Sequence, residues 1–278
     1  MQQFLITDEN IILCDTPQSW IELRRSPPGA LINSSATPPV EVVLCVLEGA
    51  VVVQVDGESL HLDVSDGVQL PAGHTWQATV GATGAKVLRV DSFHPGFTAE
   101  KSLMPPLEQA HCFTVAGGQK LVYTDYVRGG VLTFAPGFAA DKHFHQDADE
   151  IFWFFQGTCR VTVPEGAFTV PAGTIVYTAP YEWHIIENVG DEPLLMFLTV
   201  TPNIVPSHTF FDANGEPFVR SWAPLRRWDR EARIQVARIS LRLSASPESA
   251  PYALLSLLID AFFPSIVYYG HGSKRRNS

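Results

Sequence analysis

Gly137-Phe-Ala-Ala-Asp-Lys-His143-Phe-His145-Gln-Asp-Ala-Asp-Glu150-Ile-Phe-Trp-Phe-Phe-Gln-Gly157 is the stretch whose reading decides the fold. Alternate residues of a β-strand share a face, so His143 and His145 point the same way and can offer two imidazoles to one cation. The polar run Gln146 to Asp149 reads as a turn, and Glu150 opens an apolar strand, Ile151 to Phe155, that ends at Gly157. A hairpin of this shape folds the carboxylate back over the imidazoles. Further on, Gly173 stands eleven positions before His184 and Asn188 four after it, with Pro180 and Tyr181 making the turn before the histidine. His184 closes the site from a neighbouring strand.

Three neutral imidazoles and one carboxylate suit Fe(II), Mn(II), Ni(II) or Zn(II), whereas Ca and Mg prefer all-oxygen sets. No cysteine lies among the four candidates, so a closed cysteine-rich zinc site is not expected and an open position for water or substrate is.

The spacing Gly137-x5-His143-x-His145-x4-Glu150-x6-Gly157 resembles the first cupin motif at every signature position. Gly173-x10-His184-x3-Asn188 resembles the second, with Pro180 one place late and Tyr181 where the family carries glycine. The resemblance implies antiparallel jelly-roll barrels and one metal ion held by His143, His145, Glu150 and His184, as in quercetinase-like enzymes of this superfamily.

The first half of the chain repeats the offsets. Gly29-x5-Ser35-x-Thr37-x4-Val42-x6-Gly49 follows the first motif, and Ser65 precedes Trp76 by eleven positions as Gly173 precedes His184. Ser35, Thr37, Val42 and Trp76 thus replace all four ligands, and His61 and His74 fall at no ligand position. The expectation is an all-β bicupin: a metal-free barrel over 1–95, a linker over 96–117 with a short helix around Glu108, a metal-binding barrel over 118–205, and a partly helical extension over 206–278. Within the second barrel, Leu121 to Val127 and Gly130 to Phe134 are read as strands. His208 has no assigned role. In the extension, Leu225, Trp228, Ala232, Val236, Ile239 and Leu243 recur at helical steps. The apolar run Ala250 to Tyr269 is broken by Asp260 and Pro264, so no membrane span is expected.

Composition bounds the rest. The chain has 278 residues, 46% of them hydrophobic and 17% charged, enough for a sizeable core, and its 20 glycines and 21 prolines fit many turns between short strands. A formal charge of −10 argues against a nucleic-acid partner, although nine Lys and Arg stand against four acids after Leu225. Cys14, Cys45, Cys112 and Cys159 are scattered, as reduced thiols are. The first ten residues carry no basic, apolar leader pattern, so cytoplasm is the default location. A homodimer is left open.

The resemblance implies a metal-dependent oxidoreductase of dioxygenase type, with Fe(II) first among the ions and Glu150 both ligand and general base. If Glu150 faces inward, so do Phe152 and Phe154, either as plain core or as an apolar wall for a small phenolic or polyketide-like substrate taken with O2. The absence of a basic cluster near the motif points the same way, towards tailoring of a secondary metabolite. A Lewis-acid isomerase, cyclase or decarboxylase, and a non-enzymatic small-molecule binder, are the alternatives.

Overall fold

The computed structural model describes residues 2–5, 10–33, 40–93, 104–204 and 206–219. The helix expected after Leu225, the run to Tyr269, and Ser35 and Thr37 lie outside the described residues. Every strand pairing among them is antiparallel, and no helix occurs.

Two long strands build the first half. Val40–Val55 pairs with Trp76–Phe93 along most of its length and with Asp66–Leu70 and Glu58–Leu62 on its other side. Asp56 and Gly57, both at positive φ, form the two-residue turn between Val55 and Glu58 that the Asp-Gly pair predicts. The second half is a five-stranded sheet, in the order Gln2–Leu5, Thr174–Thr178, Asp149–Gln156, Leu194–Thr201 and Arg128–Phe134. It is completed by a three-stranded sheet of Gly166–Pro171, Thr158–Val163 and Ile185–Asn188.

The internal repeat is written in the backbone. Left-handed residues recur at a constant separation of 108 positions: Gly29 and Gly137, Gly49 and Gly157, Ser65 and Gly173, Gly73 and Tyr181. The loops of the two halves therefore make the same turns even where the residue type has changed.

Strand alternation divides the core into three. Val42, Leu44, Val46, Trp76 and their neighbours fill the first barrel, and Phe134, Phe152, Phe154, Val161, Ile186 and Met196 fill the second. The opposite faces of the same strands meet in a third cluster, where Ile21, Val43, Cys45 and Val90 pack with Ile151, Trp153, Ile175 and Phe197. The period-two reading of Asp149–Gln156 thus describes both sides of that strand.

Where the second barrel has Glu150 and His184, the first has Val42 and Trp76 in its apolar core. Beside them lies a buried, two-pronged ion pair: Arg89 Nε to Asp91 Oδ1 at 2.6 Å and Nη2 to Oδ2 at 2.7 Å. The guanidinium sits 5.5 Å from the Trp76 ring centroid and 5.3 Å from that of Trp20.

Two local expectations are corrected. The segment around Glu108 is irregular, not helical, and Leu121 to Val127 is not a strand. The Gln69 side chain takes the strand partner's part there: Val122 N donates to Gln69 Oε1 at 2.9 Å, and Gln69 Nε2 donates to Val122 O at 2.8 Å. Thr124 Oγ1 then turns the chain by accepting from the amides of Tyr126 and Val127. Three pairings also cross the boundaries drawn on the sequence. Gln2–Leu5 joins Thr174–Thr178 of the second half, His111–Thr114 extends the first sheet at Asp66–Leu70, and Thr209–Phe211 returns to His143–Phe144.

Candidate metal centre

His143 and His184 are placed by each other. Their backbones form a β-bridge, with His143 N donating to His184 O at 3.2 Å and His184 N donating to His143 O at 2.9 Å, which sets both side chains on one face. His145 follows two residues after His143. Glu150 is held in the middle of the five-stranded sheet, with Val200 opposite on one side and Thr178 on the other. Its neighbour Asp149 points the other way, fully buried, and accepts hydrogen bonds of 2.7 Å from Thr16 Oγ1, Ser19 Oγ and the Tyr177 hydroxyl. That anchorage fixes the strand at the residue before Glu150.

The turn before His184 makes the same left-handed turn as its counterpart in the first half, with tyrosine in place of glycine. Tyr181 has φ +65°, its amide donates to His145 O at 2.8 Å, and its exposed hydroxyl donates to Asp147 Oδ1 at 2.9 Å. The equivalent turn of the first half carries Pro71-Ala72-Gly73, with Gly73 at φ +82°.

His143, His145, Glu150 and His184 are all buried, and each offers one donor atom, all within 4.8 Å of one another. The three imidazoles are presented alike. Nδ1 of His143 faces Asp141 O at 2.7 Å, Nδ1 of His184 faces Glu182 O at 3.2 Å, and Nδ1 of His145 faces Ser207 O. A carbonyl can only accept, so each Nδ1 carries the hydrogen and each Nε2 presents a lone pair. Nε2 of His145 and of His184 each lie 3.0 Å from Glu150 Oε2, yet none of these three buried atoms makes a hydrogen bond among the described residues. Lone pairs converging in this way fit a cation that they would share.

The electrostatics agree. Burial, then the neighbouring His184 and His145, holds His143 well below the usual imidazole range and therefore neutral. Burial alone would raise the Glu150 carboxyl, but the adjoining His145 and His184 rings outweigh it and keep the group well below the usual carboxylate range.

Phe152 lies edge-on to His184, with ring centroids 5.7 Å apart, and stacks on Phe154 at 5.9 Å. Phe152 therefore touches the ligand cluster, while Phe154 sits one ring deeper among Val161, Val176 and Met196.

The sequence reading missed two residues. His208, half-buried, places its ring 4.6 Å from that of His145 and 4.8 Å from that of His143. It arrives on a hairpin, Thr209–Phe211 against Pro217–Phe218, that covers His143–Phe144. Lys142 helps to hold the hairpin, lying 4.2 Å over the Phe211 ring and 3.9 Å over Trp183. Two short apolar runs around Asp212-Ala-Asn-Gly215 are the signal that could have shown a hairpin in need of a strand partner. Arg128 is the second, with Nη2 3.3 Å from His208 Nε2. Period-two counting back from the inward-facing Phe134 and Leu132 would have turned it towards the site. One basic group, Arg128, thus stands beside the motif. Among the described residues no second group of metal-ligating side chains occurs, and His74 is paired with Asp56 at the surface.

Comparisons with known proteins agree with this architecture. Residues 130–201 match the cupin domain family. A cupin 2 conserved barrel domain protein from Leptotrichia buccalis is 14% identical over 72% of this chain and 92% of its own, with a TM-score of 0.52. The protein YlbA from E. coli is 12% identical over 73% and 88%, with a TM-score of 0.54. Oxalate decarboxylase of Bacillus subtilis, described with Mn(II) centres, is 15% identical over 75% and 78%, and its TM-score is lower, at 0.48. No curated protein sequence matches the chain. No helix among the described residues is long and apolar enough to cross a membrane. The segment that carries the four converging side chains is therefore the one that matches the cupin domain family.

Proposed function

We propose that the protein is a metal-dependent oxidoreductase of dioxygenase type, acting with O2 on a small phenolic or polyketide-like substrate. The observation that carries this reading is the convergence of three Nε2 lone pairs and the Glu150 carboxylate in a buried site, each Nδ1 hydrogen being engaged by a backbone carbonyl. His143, His145, Glu150 and His184 would hold one divalent ion. The mixed nitrogen and oxygen set suits Fe(II) first, with Mn, Ni and Zn as alternatives. Such an ion supplies the means to bring O2 and substrate into reaction.

The protein's own residues do the rest. Glu150 is ionised at neutral pH, the form required both of a ligand and of a base that takes a proton from a substrate hydroxyl. Phe152 presents an apolar wall beside His184 and keeps water from that side. The hairpin bearing His208 covers the His143 side.

Metal analysis of purified protein, followed by an oxygen-electrode assay with phenolic and polyketide substrates, tests the reading. One equivalent of a redox-active metal and substrate-dependent oxygen uptake are expected. Turnover without oxygen consumption would replace it with a Lewis-acid isomerase, cyclase or decarboxylase. Binding without turnover would leave a small-molecule binder.

A further inference from the structure

Arg128 opens the strand Arg128–Phe134, and the sheet register carries its row straight to the ligand cluster. Arg128 lies opposite Val200, and Val200 lies opposite Glu150. Opposed residues of neighbouring strands share a face, so Arg128 and Glu150 look into the same barrel interior from backbones two strand spacings, about 10 Å, apart. The guanidinium reaches inward, its Nη2 3.3 Å from Nε2 and 3.4 Å from Nδ1 of His208. Its Nε is buried and makes no hydrogen bond among the described residues, and no carboxylate there lies within ion-pair distance of it.

That arrangement is expensive unless something completes it. A guanidinium has five N–H donors, while a neutral imidazole has one acceptor. Burial lowers the Arg128 pKa, opposed by Glu150 and Tyr123, and the guanidinium stays charged near neutral pH. A divalent ion at the four ligands leaves one positive charge after Glu150 is counted, and Arg128 adds another. The interior then holds two positive charges and a guanidinium whose buried Nε has no acceptor among the described residues.

We propose that Arg128, flanked by His208, is an anion subsite beside the metal centre, and that the substrate is a small organic acid whose carboxylate it binds. Planar, two-pronged hydrogen bonding is the geometry in which guanidinium and carboxylate match. The proposal rests on the metal-centre reading and narrows its substrate class: a phenolic or enolic molecule of this kind carries, besides the oxygen facing the ion, a carboxylate about one side chain away.

The test uses the full chain loaded with Mn(II), its metal content measured first. Acetate, glycolate and salicylate are each titrated by calorimetry against acetamide, glycolamide and salicylamide. At least one acid should bind about ten- to a hundredfold more tightly than its amide, the range expected for hydrogen bonds to a charged partner. In Arg128→Met that preference should fall to within about threefold of unity while the metal content stays at the wild-type level. Acids that bind no better than their amides would overturn the proposal, and so would a preference that survives in Arg128→Met, because the ion alone would then be holding the anion. If Arg128→Met does not fold, His208→Gln is used: weaker acid binding at unchanged metal content supports the subsite, and unchanged acid binding overturns it. A wild-type protein that takes up no metal sinks the metal-centre reading separately, and the acid-over-amide comparison on that metal-free protein still decides the role of Arg128.

Discussion

Tyr181 and Gly73 occupy equivalent turns with the same left-handed backbone, which glycine adopts freely and a β-carbon makes costly. The tyrosine has its hydroxyl bond to Asp147 as partial return. Tyr181→Gly should therefore be more stable than Tyr181→Ala by about 1 kcal/mol in denaturant unfolding, since both lose the hydroxyl and only alanine keeps the strain. The ligands make a sharper case. Glu150→Gln can still offer the ion an oxygen but cannot accept a proton near neutral pH. Turnover should fall roughly a hundred- to ten-thousandfold while elemental analysis still finds metal, whereas His143→Ala should empty the site. Normal turnover in Glu150→Gln would remove it as a base. Glu41 behaves oppositely to Glu150. It is buried with, among the described residues, only Gln69 Nε2 and Thr124 Oγ1 donating to it, and burial outweighs both bonds, pushing its carboxyl up to about 7. Between about pH 4.5 and 7 the folded state then binds more protons than the unfolded chain, so this residue makes stability fall as pH rises. Glu41→Gln should remove that slope and raise unfolding free energy at pH 8 by on the order of 3 kcal/mol, read from urea melts at several pH values.

At the level of elements, the strands could be read from the sequence because their signals are local. Asp149–Gln156 announces itself by alternation, and the turns at Asp56-Gly57 and Gly157 by residue type. The four converging side chains were legible because two of them sit two apart, at the start of the strand His143–Phe144 and just past its end, and the others at fixed offsets from glycine turns. Leu121 to Val127 was misread because its composition is that of a strand, while its backbone partner is a side chain, Gln69, about fifty positions earlier. Nothing local encodes such a substitution. His208 was missed for the same reason: its position depends on the pairing of Thr209–Phe211 with His143–Phe144, a contact between distant segments. That hairpin turns at Gly215, φ +84°, with Asp212 Oδ1 accepting from the amides of Asn214 and Glu216. Gly215→Val should strain the turn and loosen the cover over His143. Metal loss to a chelator should become several-fold faster, with little change in the melting of the barrels, and an unchanged stripping rate would show that the hairpin does not guard the site.

For the whole molecule, the repeat has kept its turns and exchanged its contents. One barrel interior converges on lone pairs; the other is closed by Trp76, Val42 and the Arg89–Asp91 pair. Asp91→Ala should cost about 3–5 kcal/mol, as breaking one side of a buried pair does, and should leave one metal per chain, since the ligands lie in the other half. A second equivalent of metal that survived removal of His143 and His184 would contradict this division. The halves are nonetheless not separable pieces. Gln2–Leu5 is hydrogen-bonded to Thr174–Thr178, next to the strand that carries Glu150. During synthesis Gln2–Leu5 leaves the ribosome long before its partner strand exists, and it must wait while the first barrel and most of the second are made. Gln2–Leu5 is thus made long before it can be paired, and a fragment that stops short of Thr174 carries it as an unmatched edge.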